Sequence, residues 1–261
     1  MTLQYKLGRS QRTHDSRVPH MSALTAGKSL PPPPRQIDYT KGMPPHLGMM
    51  LNNTLQDCTC AAFYHALQVW TYNARNGAIT TEPDRNVEQL YIRACGYDPT
   101  VAGEGPEGNE QHVLSYLLKT GAPVGPSGHG KHKILAFVEV DPRNTDDVKR
   151  AIADCGVAYI GFKAPQYIVR PGQPSPSVWD VQDTDTNIVG GHTVVLAGYD
   201  GTGARAISWG QYYTMTWRFF AKYVDEVYAI ADPEWIEVKK KTPGGLTLAE
   251  LEEQMRAIAA V

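Results

Sequence analysis

The order of elements along this chain predicts an α+β fold. Three observations carry that expectation. Helical periodicity dominates the first half of the chain. Runs of β-branched and aromatic residues gather after residue 134. The later runs are joined by turn signals rather than by regularly alternating helices, which argues against a doubly wound parallel sheet. At 261 residues the chain is long enough for one large domain or two small ones with a proper core. Its formal charge of −2 gives no global basic field for nucleic acid and no acidic excess. No apolar run is long enough to span a membrane, and the start lacks the apolar stretch of a signal peptide. Four cysteines are too few for a disulfide scaffold.

Each element has its own justification. Residues 1–29 read as an irregular basic arm. The first fifty residues carry seven basic residues against Asp15 and Asp38, a net +5, with little periodicity. Such an arm is ordinarily a flexible terminus, and a docking arm for a protein partner is the other reading. The proline run at 31–34 is stiff and polyproline-like. Residues 58–73 form the best early helix, with Asp57 at the N-cap position and Ala61, Ala62, Leu67 and Trp70 offering an apolar face. Residues 87–93 and 111–118 are also helical in pattern, the second ended by Gly121. Between them, 98–110 is a glycine-rich loop.

Residues 134–140 read as a strand. Thr145 is expected to cap a helix that Gly156 stops. Asp146 and Asp147 open that helix, with Lys149 and Arg150 after them, as the helix dipole prefers. A strand follows at 157–162, then a long loop at 164–190 of the kind that often binds ligands. Strands at 192–197 and 206–209 flank a hairpin turn at 199–203. A short helix at 216–224 and a last strand at 226–231 complete the body. Thr247 and Glu250 make a capping box for a terminal helix with Leu248, Leu251, Met255 and Ile258 on one face. The expected organisation is an arm at 1–29, a domain at 30–240 (helical part 50–125, β part 130–236), and a C-terminal helix at 241–261.

Three pieces carry chemistry. Cys58 stands at the start of a helix, where the local positive field raises the thiolate fraction. Asn52, six residues earlier, is placed to fold back and donate to an oxyanion. Gly190-Gly191-His192 opens a strand. Its paired glycines let another chain approach, and a histidine at a strand end can serve a thiol as general base. Ser208-Trp209-Gly210 lies on the strand hairpinned to that of His192, so Trp209 could cover the imidazole. Cys95 and Cys155 read as small buried hydrophobes. A metal site from Cys58, Cys60 and His65 lacks a fourth ligand, so no metal and no cofactor are expected. Residues 127–132 read as a solvated polar loop, and 239–241 as a solvated surface.

Taken together, these pieces resemble the papain-like cysteine peptidases, and more loosely uncharacterised bacterial and phage-encoded members. The segment from Leu30-Pro31 to Asp38-Tyr39-Thr40-Lys41-Gly42 resembles the family's mature start. Asn52 to Phe63 resembles its cysteine segment, Gly191-His192-Thr193-Val194 its histidine strand, and Ser208-Trp209-Gly210 its Asn-Ser-Trp-Gly. Cys58 and His192 are 134 residues apart, inside the roughly 130–150 seen in papain-type enzymes.

The resemblance implies a two-lobed fold, with a helical N-terminal lobe carrying the cysteine and an antiparallel β lobe carrying the histidine. It implies peptide or isopeptide cleavage by Cys58 with His192, and an oxyanion hole from Asn52 and the Cys58 N–H. Residues 104–109, with Gly105, Gly108 and Gly191, would line the substrate backbone. Cys60 is the rival nucleophile; Thr54 stands six residues before it, against Asn52 for Cys58, which favours Cys58. Ile207 occupies the place of the family's orienting Asn, so Ser208 or Gln211 would have to orient His192. Leu55 stands where a disulfide cysteine would be, which points to a reducing compartment such as cytoplasm, or to a phage particle. Two further readings of the same fold are a catalytically silent structural or binding protein, for example a phage particle component, and an acyl transferase. Expected partners are a peptide or protein substrate, with assembly contacts through the N-terminal arm or C-terminal helix, and neither nucleic acid nor membrane.

Overall fold

The computed structural model describes residues 4–184 and 186–259, with side chains to 256. The arm carries one short helix, α1 (Met21–Leu24), and is followed by a two-residue strand, β1 (Ile37–Asp38). Then come three helices: α2 (Cys58–Ala74), α3 (Asp84–Cys95) and α4 (Glu110–Lys119). A small pair, β2 (Ala122–Val124) and β3 (Gly130–His132), leads to β4 (Ala136–Glu139) and helix α5 (Thr145–Cys155). The rest is mainly β: β5 (Ala158–Pro165), β6 (Val178–Trp179), β7 (Ile188–Tyr199), β8 (Gly203–Ser208), β9 (Gln211–Thr216) and β10 (Val224–Ala231). Helix α6 (Trp217–Tyr223) lies between β9 and β10, and α7 (Pro233–Lys239) and α8 (Leu248–Ala259) close the chain. The fold is α+β. Among the described residues no helix is long and apolar enough to cross a membrane.

Helix α2 is the axis of the core. From Cys58 through Thr71 every residue is buried, so it is an interior helix rather than a surface helix with one apolar face. Its polar groups are tied off: Trp70 Nε1 donates to Cys155 O at 2.7 Å, and Tyr159 Oη donates to Thr59 O at 2.8 Å. Burying each such aromatic side chain contributes roughly 1.5–3 kcal/mol.

Strand β7 is the longest and runs past α2. The sheet order is β4-β10-β5-β7-β8-β9-β6, with β1 also paired to β7. All pairings are antiparallel except β6 with β9. His192 pairs with Phe162, Thr193 with Gly161, and Val195 with Ile207.

Several local expectations are corrected. Asn144, not Thr145, caps α5, its side chain accepting from Asp147 N; an amide one residue earlier does the same work. Asp57 holds the N-cap position of α2 without a side-chain cap bond, because its Oδ1 accepts from Asn52 Nδ2 at 3.1 Å. Residues 127–132 are not simply a solvated loop: β3 ends at His132, whose Nε2 lies 2.5 Å from Asp232 Oδ2. Strands β6 and β9 and helix α7 fall where no element was expected. The capping box holds, with Glu250 N donating to Thr247 Oγ1 at 3.2 Å, and Leu251 and Met255 are buried. Leu248 is exposed, and the Ile258 side chain lies outside the described residues.

Candidate active site

Cys58 begins α2, and His192 sits in the first half of β7, which packs on that helix. Cys58 is 1 % exposed and His192 0 %. The Thr193 backbone and hydroxyl face the Cys58 sulfur. Burial pushes the Cys58 thiol well up from its ordinary value, and the Thr193 hydrogen bonds only partly oppose that. Burial also pushes His192 down to about 3. Thiol and imidazole are therefore both neutral in this form.

The imidazole is held from three directions. Its Nε2 lies 2.7 Å from Ser208 Oγ. Trp209 stacks on one face, with centroids 4.4 Å apart and planes at 15°. Phe162 meets it edge-on at 5.7 Å. Alternation along β8 explains why Ser208 and not Ile207 orients the ring. Ile207 pairs with Val195, so the next residue, Ser208, turns to the opposite face, shared with Val194 and His192. Gln211 is exposed across the turn and does not replace it. The turn holds Trp209 at φ 47° and Gly210 at φ 69°. Positive φ at a bulky residue is a real departure, and such strain clusters at functional sites. Among the described residues, His192 Nδ1 is buried without a hydrogen-bond partner.

The remaining candidates are placed as follows. Asn52 is buried, and its Nδ2 donates to Leu55 O at 3.2 Å and Asp57 Oδ1 at 3.1 Å. Cys60 faces away to a second thiol, with its sulfur 3.9 Å from that of Cys95. Gly105 packs under Tyr91 and Tyr97. His65 Nδ1 lies 2.9 Å from Gln68 Oε1, and burial lowers its pKa to about 4, so it is a core residue. Among the described residues, the one three-ligand cluster is His14, His20 and Glu139, on the arm where it crosses β4, and Arg12 already pairs with that carboxylate.

Gly108 and Gly191 are occupied, and their occupant is the arm. Gly8 N and Arg9 N both donate to Gly191 O at 3.1 Å. Gly108 N donates to Gly8 O at 2.7 Å, and Ser10 N to Gly108 O at 2.9 Å. A Cβ on Gly191 would lie 2.4 Å from Arg9 O, and one on Gly8 would lie 2.1 Å from Gln56 O, two residues before Cys58. Tyr5 packs on Trp209 at 4.6 Å, and Trp209 Nε1 donates to Lys6 O at 3.2 Å. The arm thus runs between the two walls and seals the site, rather than hanging free. Arg9 of the arm pairs with Glu110, Asp225 and Glu226, which its basic composition alone does not predict. Gly161, in the middle of a strand of large residues, is the sequence signal that another segment approaches closely there.

No protein-family model matches the chain, and a search of curated proteins finds no match. Solved structures do match. Xylellain, a cysteine protease from Xylella fastidiosa, superposes with a TM-score of 0.64 at 16 % identity, over 89 % of this chain and 98 % of that one. The chain has a papain-like fold. Procathepsin B S9 from Trypanosoma congolense matches at TM-score 0.55 and 9 % identity, covering 87 % of this chain and 86 % of that one. Digestive procathepsin L 3 from Tenebrio molitor matches at 0.54 and 14 %, covering 87 % and 76 %.

Proposed function

We propose that the chain is a papain-like cysteine peptidase, with Cys58 as nucleophile and His192 as its base, sealed in this form by its own arm. One observation carries the reading. His192 is anchored through Nε2 on Ser208 while Nδ1 is left buried and unpartnered, in the strand that packs against α2, the helix that Cys58 begins. Buried polar atoms are nearly always paired, so an unpartnered Nδ1 suits an acceptor waiting for a proton.

The chemistry follows from that geometry. With the arm withdrawn, water and substrate reach the site and the penalty on charge falls. His192 Nδ1 takes the Cys58 proton, and the Trp209 face stabilises the imidazolium. The thiolate attacks the carbonyl carbon of a peptide bond. The Cys58 N–H, free of an intrahelical acceptor at the start of α2, donates to the oxyanion. Asn52 joins it by exchanging its bond to Leu55 O for one to substrate. His192 then protonates the leaving amine, and water, deprotonated by the same nitrogen, releases the acyl group. Ser208 positions the ring and fixes the tautomer.

The test is hydrolysis of a mixed peptide library by the full chain carrying Arg9→Ala. Cleavage that disappears in Cys58→Ala and in His192→Ala supports the reading. A folded protein that cleaves nothing, or cleavage that survives Cys58→Ala, overturns it.

A further inference from the structure

Arg9 is the least expected side chain in the cleft. It is 4 % exposed, and arginine is almost never that buried unless paired. Its Nε lies 3.0 Å from Glu110 Oε2, and its Nη2 lies 2.5 Å from Glu226 Oε2 and 2.7 Å from Asp225 Oδ1. The Glu110 and Glu226 side chains are 0 % and 1 % exposed. The floor beneath is Gly161, where a Cβ would lie 2.1 Å from Arg9 Nε and 2.5 Å from Glu110 Oε2. The pocket adjoins the reactive thiol: Thr193 Oγ1 donates to Glu110 Oε1 at 2.9 Å, and the same Thr193 faces Cys58.

We infer that the pocket of Glu110, Asp225, Glu226 and Gly161 selects a guanidinium side chain of the peptide substrate, and that Arg9 occupies it in the substrate's place. The inference rests on the peptidase reading above. Two buried carboxylates and a third at the rim are a poor way to build a core, because each must be stripped of water. They are well suited to a planar cation that meets several carboxylates with one fork. The backbone of residues 8–10 that delivers Arg9 bonds to main-chain groups of Gly191 and Gly108; those bonds ask only for glycine before the arginine, where a Cβ would lie 2.1 Å from Gln56 O, and the side chain in the pocket carries the rest of the selectivity. A leucine in the same place would leave the acids unpaired. The expected discrimination in favour of arginine is about tenfold or more, the range of a charged hydrogen bond.

The experiment uses the full chain with Arg9→Glu, which sets a carboxylate against the acid pocket and expels the arm. Two readouts are taken. One is the rate of Cys58 modification by a pair of peptide epoxides that differ only in arginine against leucine. The other is equilibrium binding, by calorimetry, of the six-residue peptide Tyr-Lys-Leu-Gly-Arg-Ser and its leucine counterpart to the same chain with Cys58→Ala added. The inference expects arginine to win both comparisons by about tenfold or more, and the preference to collapse in Glu226→Gln. Asp225→Asn, at the rim, is the second variant should Glu226→Gln fail to fold, and should shrink the preference severalfold. Equal modification by the two epoxides overturns the pocket while leaving the peptidase reading intact. No modification but tighter binding of the arginine peptide keeps the pocket and overturns the peptidase. Neither modification nor preferential binding overturns both.

Discussion

Replacing Arg9 with alanine in the full chain should unseal the site. The docked guanidinium makes ion pairs of 2.5, 2.7 and 3.0 Å to Glu226, Asp225 and Glu110. Removing one partner of a buried charge network costs about 3–5 kcal/mol. The lower end applies here. Asp225 is 34 % exposed, and Glu110 is pushed well up from the usual carboxylate range by burial and by Glu226. A loss of about 3 kcal/mol shifts the sealed-to-open ratio by a factor of about 150. Cys58 is 1 % exposed when the arm is docked, so alkylation proceeds through the open state and its rate should rise toward that factor. The assay is timed iodoacetamide labelling at neutral pH, with adducts mapped to Cys58 by mass spectrometry. Arg9→Lys should fall between, since it keeps the charge and loses the fork. An Arg9→Ala protein with unchanged circular dichroism that labels Cys58 at the wild-type rate would refute the reasoning.

Four further outcomes are expected. Gly161→Ala places a Cβ 2.1 Å from Arg9 Nε and should accelerate Cys58 labelling as Arg9→Ala does; a wild-type labelling rate would count against the sealed arm. In the arm-released chain, Ser208→Ala should lower kcat about tenfold with KM little changed, since it frees the His192 ring, and Ser208→Thr should restore it; an unchanged kcat contradicts the positioning role. His192 is lowered to about 3 by burial from an ordinary 6.5, so the stability it contributes is full above about 6.5 and is lost as pH falls toward 3. The Tm gap between wild type and His192→Gln should therefore shrink from pH 7 to pH 4, and a constant gap would contradict the buried neutral ring. Cys60→Ser should keep site labelling within about twofold, because that sulfur faces Cys95; loss of labelling there would move the nucleophile.

Much of this was legible in the residues. The α+β order, helix α2 and the placement of Cys58 at its first turn follow from periodicity and capping signals. Strand β7 with its leading glycines, and the Trp209 stack, follow from the hairpin. Ser208 was one of two readings for the orienting group, and the two-residue alternation of β8 selects it. What was not legible is mostly long-range. Arg9 meets Glu110 and Glu226 across separations of 101 and 217 residues, and nothing local in the arm signals that it packs. Strand β9 carries tyrosines and threonines with little apolar contrast, so its period was weak. Asn52 illustrates the limit at a single residue: its place six residues before Cys58 suggests an oxyanion donor, yet both Nδ2 hydrogens are engaged by Leu55 and Asp57.

The central claim is a Cys58–His192 pair that becomes reactive when the arm leaves. Its most direct measurement is modification by a thiol-directed peptide epoxide near pH 6, mapped residue by residue. The set compared is wild type, Arg9→Ala, and Arg9→Ala combined with Cys58→Ala, Cys60→Ala or His192→Ala. The account predicts a slow adduct in wild type, a fast adduct on Cys58 in Arg9→Ala and in its Cys60→Ala combination, and none above a denatured control once His192 is removed. A fast adduct on Cys60 or Cys95, or Cys58 labelling indifferent to His192, would contradict it.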